Sequence, residues 1–271
     1  MKWASQLQSL YPEQESSVLV EWLFEHHLGL RRIDFLHFLD EKDLPDLLFK
    51  DFERLKTGEP IQYILGHGPF YGRDFFVSPA TLIPRNETEE LVHLILKENP
   101  FPSLKILDIG TGTGCIPITL NLEKKSWDVW GLDISEEALE IAMKNNQRHR
   151  ARVQFFSLDI LNETPSLSDL DILVSNPPYI PKQEEAFMHS NVKDFEPKIA
   201  LFVPNDDPLL FYRVIAKKGQ QLLKKHGKIY FEIWEKAGAE VFNLLKIEDY
   251  DQITLHQDLN GKDRMISATR R

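Results

Sequence analysis

Asn176-Pro177-Pro178-Tyr179 sets one amide and one aromatic ring on a stiff backbone, directly after the apolar run Ile172-Leu173-Val174. Two consecutive prolines continue neither a strand nor a helix interior. An Asn side-chain carbonyl and the backbone carbonyl after it can accept both hydrogens of a planar –NH₂ group, and the Tyr can stack on that group. The nitrogen's lone-pair direction then stays open to an electrophile, so near-attack geometry becomes the main catalytic resource. The alternative is a proline turn holding a buried Tyr.

A second chemical stretch lies upstream. Gly110, Gly112 and Gly114, with Thr111 and Thr113 between them, follow the strand-like run Lys105–Ile109 and open a helix-like one. Such a loop lets the backbone approach a ligand and aims free N–H groups at it. Its GxGxG spacing differs from the GxGxxG of dinucleotide sites. Asp133 ends the next strand-like run, where its carboxylate can accept both hydroxyls of a ribose or instead start the helix that follows Ser135. Asp159 ends the third such run and can meet an adenine amino group, with Ile160 packed on the ring; otherwise it is a loop aspartate. Ligands of open α/β sheets bind at this strand edge, so the features support one another.

The elements that must position these residues alternate. "KILDI", "WDVWGLD", "VQFFSLD", "DILVS" and "KIYFEIW" read as strands. "CIPITLNL", "SEEALEIAMKNNQ" and "DPLLFYRVIAKKGQQLLKK" read as helices, with Pro117 tolerated in a first turn. "DQITLHQD" and "DRMISATR" are two last strands. Short apolar strands separated by helices predict a mainly parallel sheet covered on both faces. Upstream, Met1 to about Thr57 is patterned as helices, with Leu19, Trp22, Leu23, then Ile33, Leu36, then Leu47, Leu48, Phe52, Leu55 at helical spacing. Ser16 or Ser17 is expected to cap the second helix, and Pro45 to sit in the first turn of another. Gly72-Arg73, flanked by aromatic and β-branched residues, predicts a hairpin between two domains. Asn86 followed by Glu89 is a capping signal for a helix to about Lys97.

Composition narrows the function classes. The chain has 271 residues, 42% hydrophobic and 27% charged, ordinary for a globular protein with a real core. No apolar run approaches a membrane span, and the start, "MKWASQLQSLYPEQE", lacks a signal-peptide core. The single cysteine, Cys115, rules out an intrachain disulfide and a multi-thiolate metal site, and fits a reducing cytoplasm. The net charge of −10 weighs against a protein whose main affinity is for phosphate backbones. The histidines of "EHHLG", Glu25 to Gly29, are adjacent and diverge on a helix, so no metal is expected there. "AKKGQQLLKKHGK" reads as a solvated helix face.

Taken together, these motifs resemble the S-adenosyl-L-methionine-dependent methyltransferases, and NPPY resembles the subset that methylates planar amino nitrogens. More narrowly, the chain is similar to the HemK/PrmC family, the peptide chain release factor glutamine methyltransferases. The similarity runs nearly its whole length through "GEPIQYILG", "LIPRNETEELV", "LDIGTGTGCI", "VSNPPYIP", "FEPKIAL" and "DLNGKDRMI". Asn86 stands where the family usually has Pro, and Ile160 where some members carry Trp.

The resemblance implies a Rossmann-like class I methyltransferase domain, α/β with a seven-stranded, mainly parallel sheet, over residues 86–271. A helical substrate-docking domain over 1–68 and a hairpin linker over 69–85 would precede it. The cofactor would be S-adenosyl-L-methionine, leaving as S-adenosyl-L-homocysteine, on Gly110, Thr111, Gly112, Thr113, Gly114, Asp133, Asp159, Ile160 and Asn176. The methyl acceptor would be the glutamine of the Gly-Gly-Gln motif in bacterial-type release factors, with no metal and no membrane. Asn176, Pro177 and Tyr179 would be catalytic, and these with Pro178 would bind the acceptor. A DNA or RNA amino-methyltransferase acting on adenine or guanine is the alternative, because the same clamp takes a base amino group. The acidic balance, and the lack of a basic target-recognition domain, weigh against nucleic acid as acceptor.

Overall fold

The computed structural model describes residues 2–29 and 44–271. They divide into two compact units, one of Met1–His67 with His189–Phe195, the other of Gly68–Met188 with Glu196–Arg271.

The first unit contains α1 (Lys2–Leu7), α2 (Glu13–Leu28), α3 (Asp46–Lys56) and α4 (Ile61–Leu65). Leu7, Leu23, Leu48 and Leu55 are fully buried, and Trp3 packs on Phe52 with ring centroids 4.4 Å apart. Leu19 and Phe52 are buried as expected, and Trp22 is partly so. Leu47 is instead 57% exposed. Leu48, Phe52 and Leu55 share one helical face, and Leu47 lies a residue off it. Expected helical positions Ile33 and Leu36 lie outside the described residues.

Neither Ser16 nor Ser17 caps α2. The helix starts directly after Pro12, and both hydroxyls donate backward from inside it, to the carbonyls of Tyr11 (3.2 Å) and Glu13 (3.1 Å). Gly29 ends it in the left-handed conformation (φ 66°), its N–H reaching the Glu25 carbonyl. Pro45 is the residue before α3 rather than a member of its first turn. His27 Nε2 lies 2.9 Å from Asp51 Oδ2, and Arg54 holds the other oxygen at 3.1 Å. Among the described residues no group of three His, Cys, Asp or Glu side chains is arranged to hold a metal ion.

A hairpin of β1 (His67–Phe70) and β2 (Arg73–Phe76) follows, turning through Tyr71 (φ 51°) and Gly72 (φ 71°). Next come α5 (Asn86–Glu98), β3 (Lys105–Ile109), α6 (Cys115–Glu123), β4 (Asp128–Asp133), α7 (Glu136–His149), β5 (Gln154–Ser157) and β6 (Leu170–Ser175). After β7 (Ile180–Pro181) and a 3₁₀ turn (Lys182–Phe187) come α8 (Ser190–Phe195), α9 (Lys198–Leu201) and β8 (Phe202–Val203). The chain closes with α10 (Leu210–Leu222), β9 (Leu223–Glu232), α11 (Gly238–Ile247), β10 (Tyr250–Gln257) and β11 (Asp263–Arg270).

Seven strands form one sheet in the order β10-β11-β9-β6-β3-β4-β5. β9, β6, β3, β4 and β5 are mutually parallel, and β11 runs antiparallel to both its neighbours. The sheet is buried on two faces, as the apolar runs predict. Alternate residues face opposite sides: Ile106, Ile172 and Tyr230 pack with Leu91 and Ile95 of α5, while Leu107, Leu173 and Phe231 pack with Ile215 of α10 and Val241 of α11. β3 has its successor β4 on one side and β6 on the other. The ends of β3 and β6 therefore flank the switch point at which open α/β sheets bind ligands.

Two local expectations fail here. Asn86 is the first residue of α5 rather than its cap, and Glu89 reaches away, its carboxylate accepting the Tyr71 N–H at 2.8 Å. The long helix before β9 ends at Leu222, and the strand begins at once with Leu223.

Candidate active site

Three strand ends and two loops of the second unit enclose a cavity of about 240 Å³. A single water occupies about 30 Å³ of liquid, so the cavity is of ligand size. Gly110, Thr111, Gly112, Thr113, Asp133, Asp159, Ile160, Asn176, Pro177 and Pro178 all line it. Gly114 and Tyr179 do not. The segment from Ala80 to Arg85 and Thr88 also line it, and Ile199 and Phe211 contribute apolar surface.

The glycine loop turns through three left-handed residues, Gly110 (φ 73°), Gly112 (φ 52°) and Gly114 (φ 76°). The N–H groups of Gly110 and Thr111 both reach the Leu132 carbonyl at 2.9 Å, tying the loop to the end of β4. Gly114 immediately precedes α6, and a Cβ there would come within 3.0 Å of Ile118 Cδ1 and 3.1 Å of Phe155 Cζ. Gly114 thus serves packing. Gly131, which the sequence reading passed over, admits the loop: a Cβ would stand 2.8 Å from Thr111 Oγ1 and 2.6 Å from Phe155. A lone glycine inside a strand is the signal for such close approach.

Asp133 takes the helix-starting role and also ties down the glycine loop. Its Oδ1 accepts the Ser135 N–H at 3.0 Å, and its Oδ2 accepts the Gly112 N–H at 2.8 Å. Each carboxylate oxygen has a second lone-pair site, so two acceptors remain for the cavity. Burial pushes the carboxyl up, and the backbone N–H groups of Ser135, Gly112 and Ile134 pull it back. Asp159 closes a turn, accepting from the Leu161 N–H (2.9 Å) and Asn162 Nδ2 (2.6 Å). Ile160 is 6% exposed and belongs to the α10–α11 core.

Asp108 had no assigned role. It is fully buried, accepts the Thr111 hydroxyl at 2.6 Å on Oδ2, and leaves Oδ1 without a partner. Burial, countered by that hydroxyl, holds the carboxyl at about 7. Cys115 lines the cavity as a buried thiol pushed up to about 12.

Ser175 ends β6 with its hydroxyl on the Ile109 carbonyl at 2.7 Å, which sets Asn176 beside the glycine loop. Asn176 Nδ2 donates to Thr88 Oγ1 at 3.2 Å, and the Thr88 hydroxyl donates to Glu232 Oε2 at 2.6 Å. Tyr179 turns from the cavity toward the same carboxylate, its hydroxyl 3.4 Å from Glu232 Oε1, and burial raises its pKa. Glu232, at the end of β9, is 2% exposed and held at about 7, chiefly by burial. Sequence reasoning missed Thr88, Glu232 and Arg85. Arg85 Nη2 bonds Glu196 Oε1 at 2.6 Å, joining the "LIPR" and "FEPKIAL" segments beside the cavity. A carboxylate inside an apolar strand, as in "KILDI" and "KIYFEIW", is the signal that marks Asp108 and Glu232.

The lining fits an adenosyl cofactor with an amino-acid tail: acceptor oxygens on Asp133, an apolar wall at Ile160, and a loop with open space beside Gly110 and Gly112. The free N–H groups expected of that loop are not found at Gly110, Thr111, Gly112 or Gly114, whose N–H groups are bonded within the protein. Sheet order, switch point and this lining define a class I, S-adenosylmethionine-dependent methyltransferase. Residues 87–195 match the Methyltransferase small domain, and residues 1–66 the PrmC N-terminal domain. The "Release factor glutamine methyltransferase" of Bacteroides thetaiotaomicron is 43% identical, over 97% of this chain and 96% of its own length. That of Enterococcus faecalis is 39% identical over 99% and 97%. Among solved structures, the hMettl16 catalytic domain bound to a MAT2A 3'UTR hairpin aligns with a TM-score of 0.60 at 15% identity, covering 86% of this chain and 87% of that one. A methyltransferase from Pyrococcus furiosus aligns at 0.54 and 15% identity, over 74% and 90%. These two share the fold. The chain belongs to the release factor glutamine methyltransferase family.

Proposed function

We propose that the protein methylates the side-chain amide nitrogen (N5) of the glutamine in the Gly-Gly-Gln motif of bacterial-type release factors, in the cytoplasm, and so tunes translation termination. The observation that carries this is the placement of Asn176. It lines the same cavity as the glycine loop and Asp133, with its amide nitrogen already committed to Thr88. When bound, S-adenosylmethionine supplies an electrophilic methyl on sulfur and leaves as S-adenosylhomocysteine.

Each residue then has a role. Asp133 accepts the ribose hydroxyls, and the backbone of Gly110 to Thr113 approaches the cofactor's amino-acid end. Gly114 holds that loop against α6. Asp159 and Ile160 flank the base. Asn176 Oδ1 and the Pro177 carbonyl accept the two amide hydrogens, so the acceptor nitrogen is oriented rather than deprotonated. The apolar walls favour dispersal of the sulfonium charge in the transition state. One proton leaves for water once the nitrogen carries the new methyl. Pro178 stiffens the frame. Tyr179 shapes the frame, its hydroxyl anchored on Glu232.

The helical first unit would dock the release factor. Nucleic acid as methyl acceptor is the weaker reading, because the named relatives act on a protein glutamine. One assay with labelled S-adenosylmethionine, offering release factor, DNA and ribosomal RNA side by side, tests this. Label entering only the release factor supports the proposal; label in DNA or RNA instead overturns it.

A further inference from the structure

An Asn carboxamide has two flips that are nearly equal in shape and opposite in chemistry. A clamp that accepts N–H bonds from a substrate amide works in only one of them. Something must set the flip, and the connection behind Asn176 has the polarity to do so.

Asn176 Nδ2 lies 3.2 Å from Thr88 Oγ1, and Thr88 Oγ1 lies 2.6 Å from Glu232 Oε2. A hydroxyl has one proton, and an ionised carboxylate only accepts. The Thr88 proton is therefore spent on Glu232 in a short, charge-assisted bond. Toward Asn176 the Thr88 oxygen can then only accept. The amide must present its NH₂ there, which leaves its carbonyl oxygen as the edge offered to the cavity. In the opposite flip two oxygens with no proton between them would face each other. The three residues come from just after β6, the first turn of α5 and the end of β9, with partners 88 and 144 positions apart in the chain.

Resting on the function proposed above, we propose that Thr88 and Glu232 are positioning residues that fix the carboxamide of Asn176 in the flip that accepts the substrate's N–H groups.

The surroundings of Glu232 supply several further charges and dipoles. Arg264 on β11 lowers its proton affinity, Glu87 on α5 raises it, and Tyr179 donates to Oε1. The Tyr212 hydroxyl of α10 donates to the Glu232 backbone carbonyl at 3.2 Å, and the Cys115 thiol of α6 senses the carboxylate. Burial dominates and sets the carboxyl near 7. Once protonated, Glu232 can donate to Thr88, whose own proton is then free to turn toward Asn176. The polarity that holds the flip thus weakens as pH falls through that value.

Thr88→Val, Thr88→Ser and Glu232→Gln test this in the full-length chain. Single-turnover methylation of release factor at saturating S-adenosylmethionine is compared with calorimetric affinity for S-adenosylhomocysteine. The loss of one ordinary hydrogen bond predicts a roughly tenfold slower transfer for Thr88→Val. Cofactor affinity should change much less than the rate, and Thr88→Ser should restore the rate. The wild-type rate should fall below pH about 7, and Glu232→Gln, which does not titrate there, should shrink that fall. Thr88→Val at the wild-type rate overturns the proposal, and so does an acid-side fall that is undiminished in Glu232→Gln. A nuclear magnetic resonance readout of the Asn176 side-chain NH₂ in the S-adenosylhomocysteine complex needs no acceptor. It therefore decides the flip even if the release factor is not methylated, a result that would sink the function proposal instead. The NH₂ proton signals should shift in Thr88→Val and on protonation of Glu232; signals unchanged in both overturn the inference.

Discussion

Asp133→Asn changes one atom and should separate the loop's two tasks. The wild-type carboxylate accepts the Gly112 N–H at 2.8 Å and the Ser135 N–H at 3.0 Å, one on each oxygen. Asn has one oxygen and one NH₂. Whichever way it turns, the NH₂ meets a backbone N–H, donor against donor, and one acceptor offered to the cavity becomes a donor. A hydrogen bond to a charged acceptor contributes about 1.5–3 kcal/mol. The loss of one such bond to the ligand therefore weakens cofactor binding about 10- to 150-fold. Isothermal titration with S-adenosylmethionine measures this, with circular dichroism as the check on folding. A folded Asp133→Asn protein that binds with wild-type affinity would refute the assignment of Asp133 to the cofactor.

Three further outcomes are expected. Gly114→Ala forces a Cβ to within 3.0–3.2 Å of Ile118, Phe155 and Ala142 at a φ of 76°, and should destabilise the fold by about 1–3 kcal/mol in urea unfolding. Asp108 is held at about 7 against an ordinary 3.8, so the folded chain binds the extra proton between those values and stability declines as pH rises through that window. Glu232 contributes a similar slope, so Asp108→Asn should flatten the Tm-against-pH curve in scanning fluorimetry without abolishing it; an unchanged slope contradicts the buried-carboxylate account. Removing residues 1–67 should leave S-adenosylmethionine binding intact and slow methylation of the whole release factor; a folded truncation as fast as the full chain refutes the docking role.

The β3–α6–β4–α7 stretch was legible in the sequence because its signals are local. Ile106 and Leu107 alternate faces, Ser135 caps α7 by accepting the Ala138 N–H at 3.1 Å, and glycines mark the loop between strand and helix. The cavity residues of the glycine loop, Asp133 and Asn176 were legible for the same reason, since each ends or directly follows a strand. The expectations that failed depend on partners distant in sequence. Glu89 looks like half of a capping box, but its carboxylate goes to the Tyr71 N–H, 18 residues away. The contact of the Tyr179 hydroxyl with Glu232, 53 residues on, was likewise outside any local signal. The Thr88–Glu232 bond spans 144 residues, and no window of sequence contains it. Pro12 took the place expected of Ser16 or Ser17 because α2 begins a few residues earlier than its first apolar periodic position.

The central claim is that Asn176 orients an amide nitrogen for methyl transfer, and single-turnover methylation of a release factor by Asn176→Ala tests it most directly. Removing one preorganised hydrogen-bond partner should lower the rate roughly 10²–10³-fold, with cofactor affinity changed less. Asn176→Asp should bind cofactor at least as well yet react more slowly, because its added charge favours the sulfonium ground state over the charge-dispersed transition state. Transfer by Asn176→Ala at close to the wild-type rate would mean that Asn176-Pro177-Pro178-Tyr179 is only a turn.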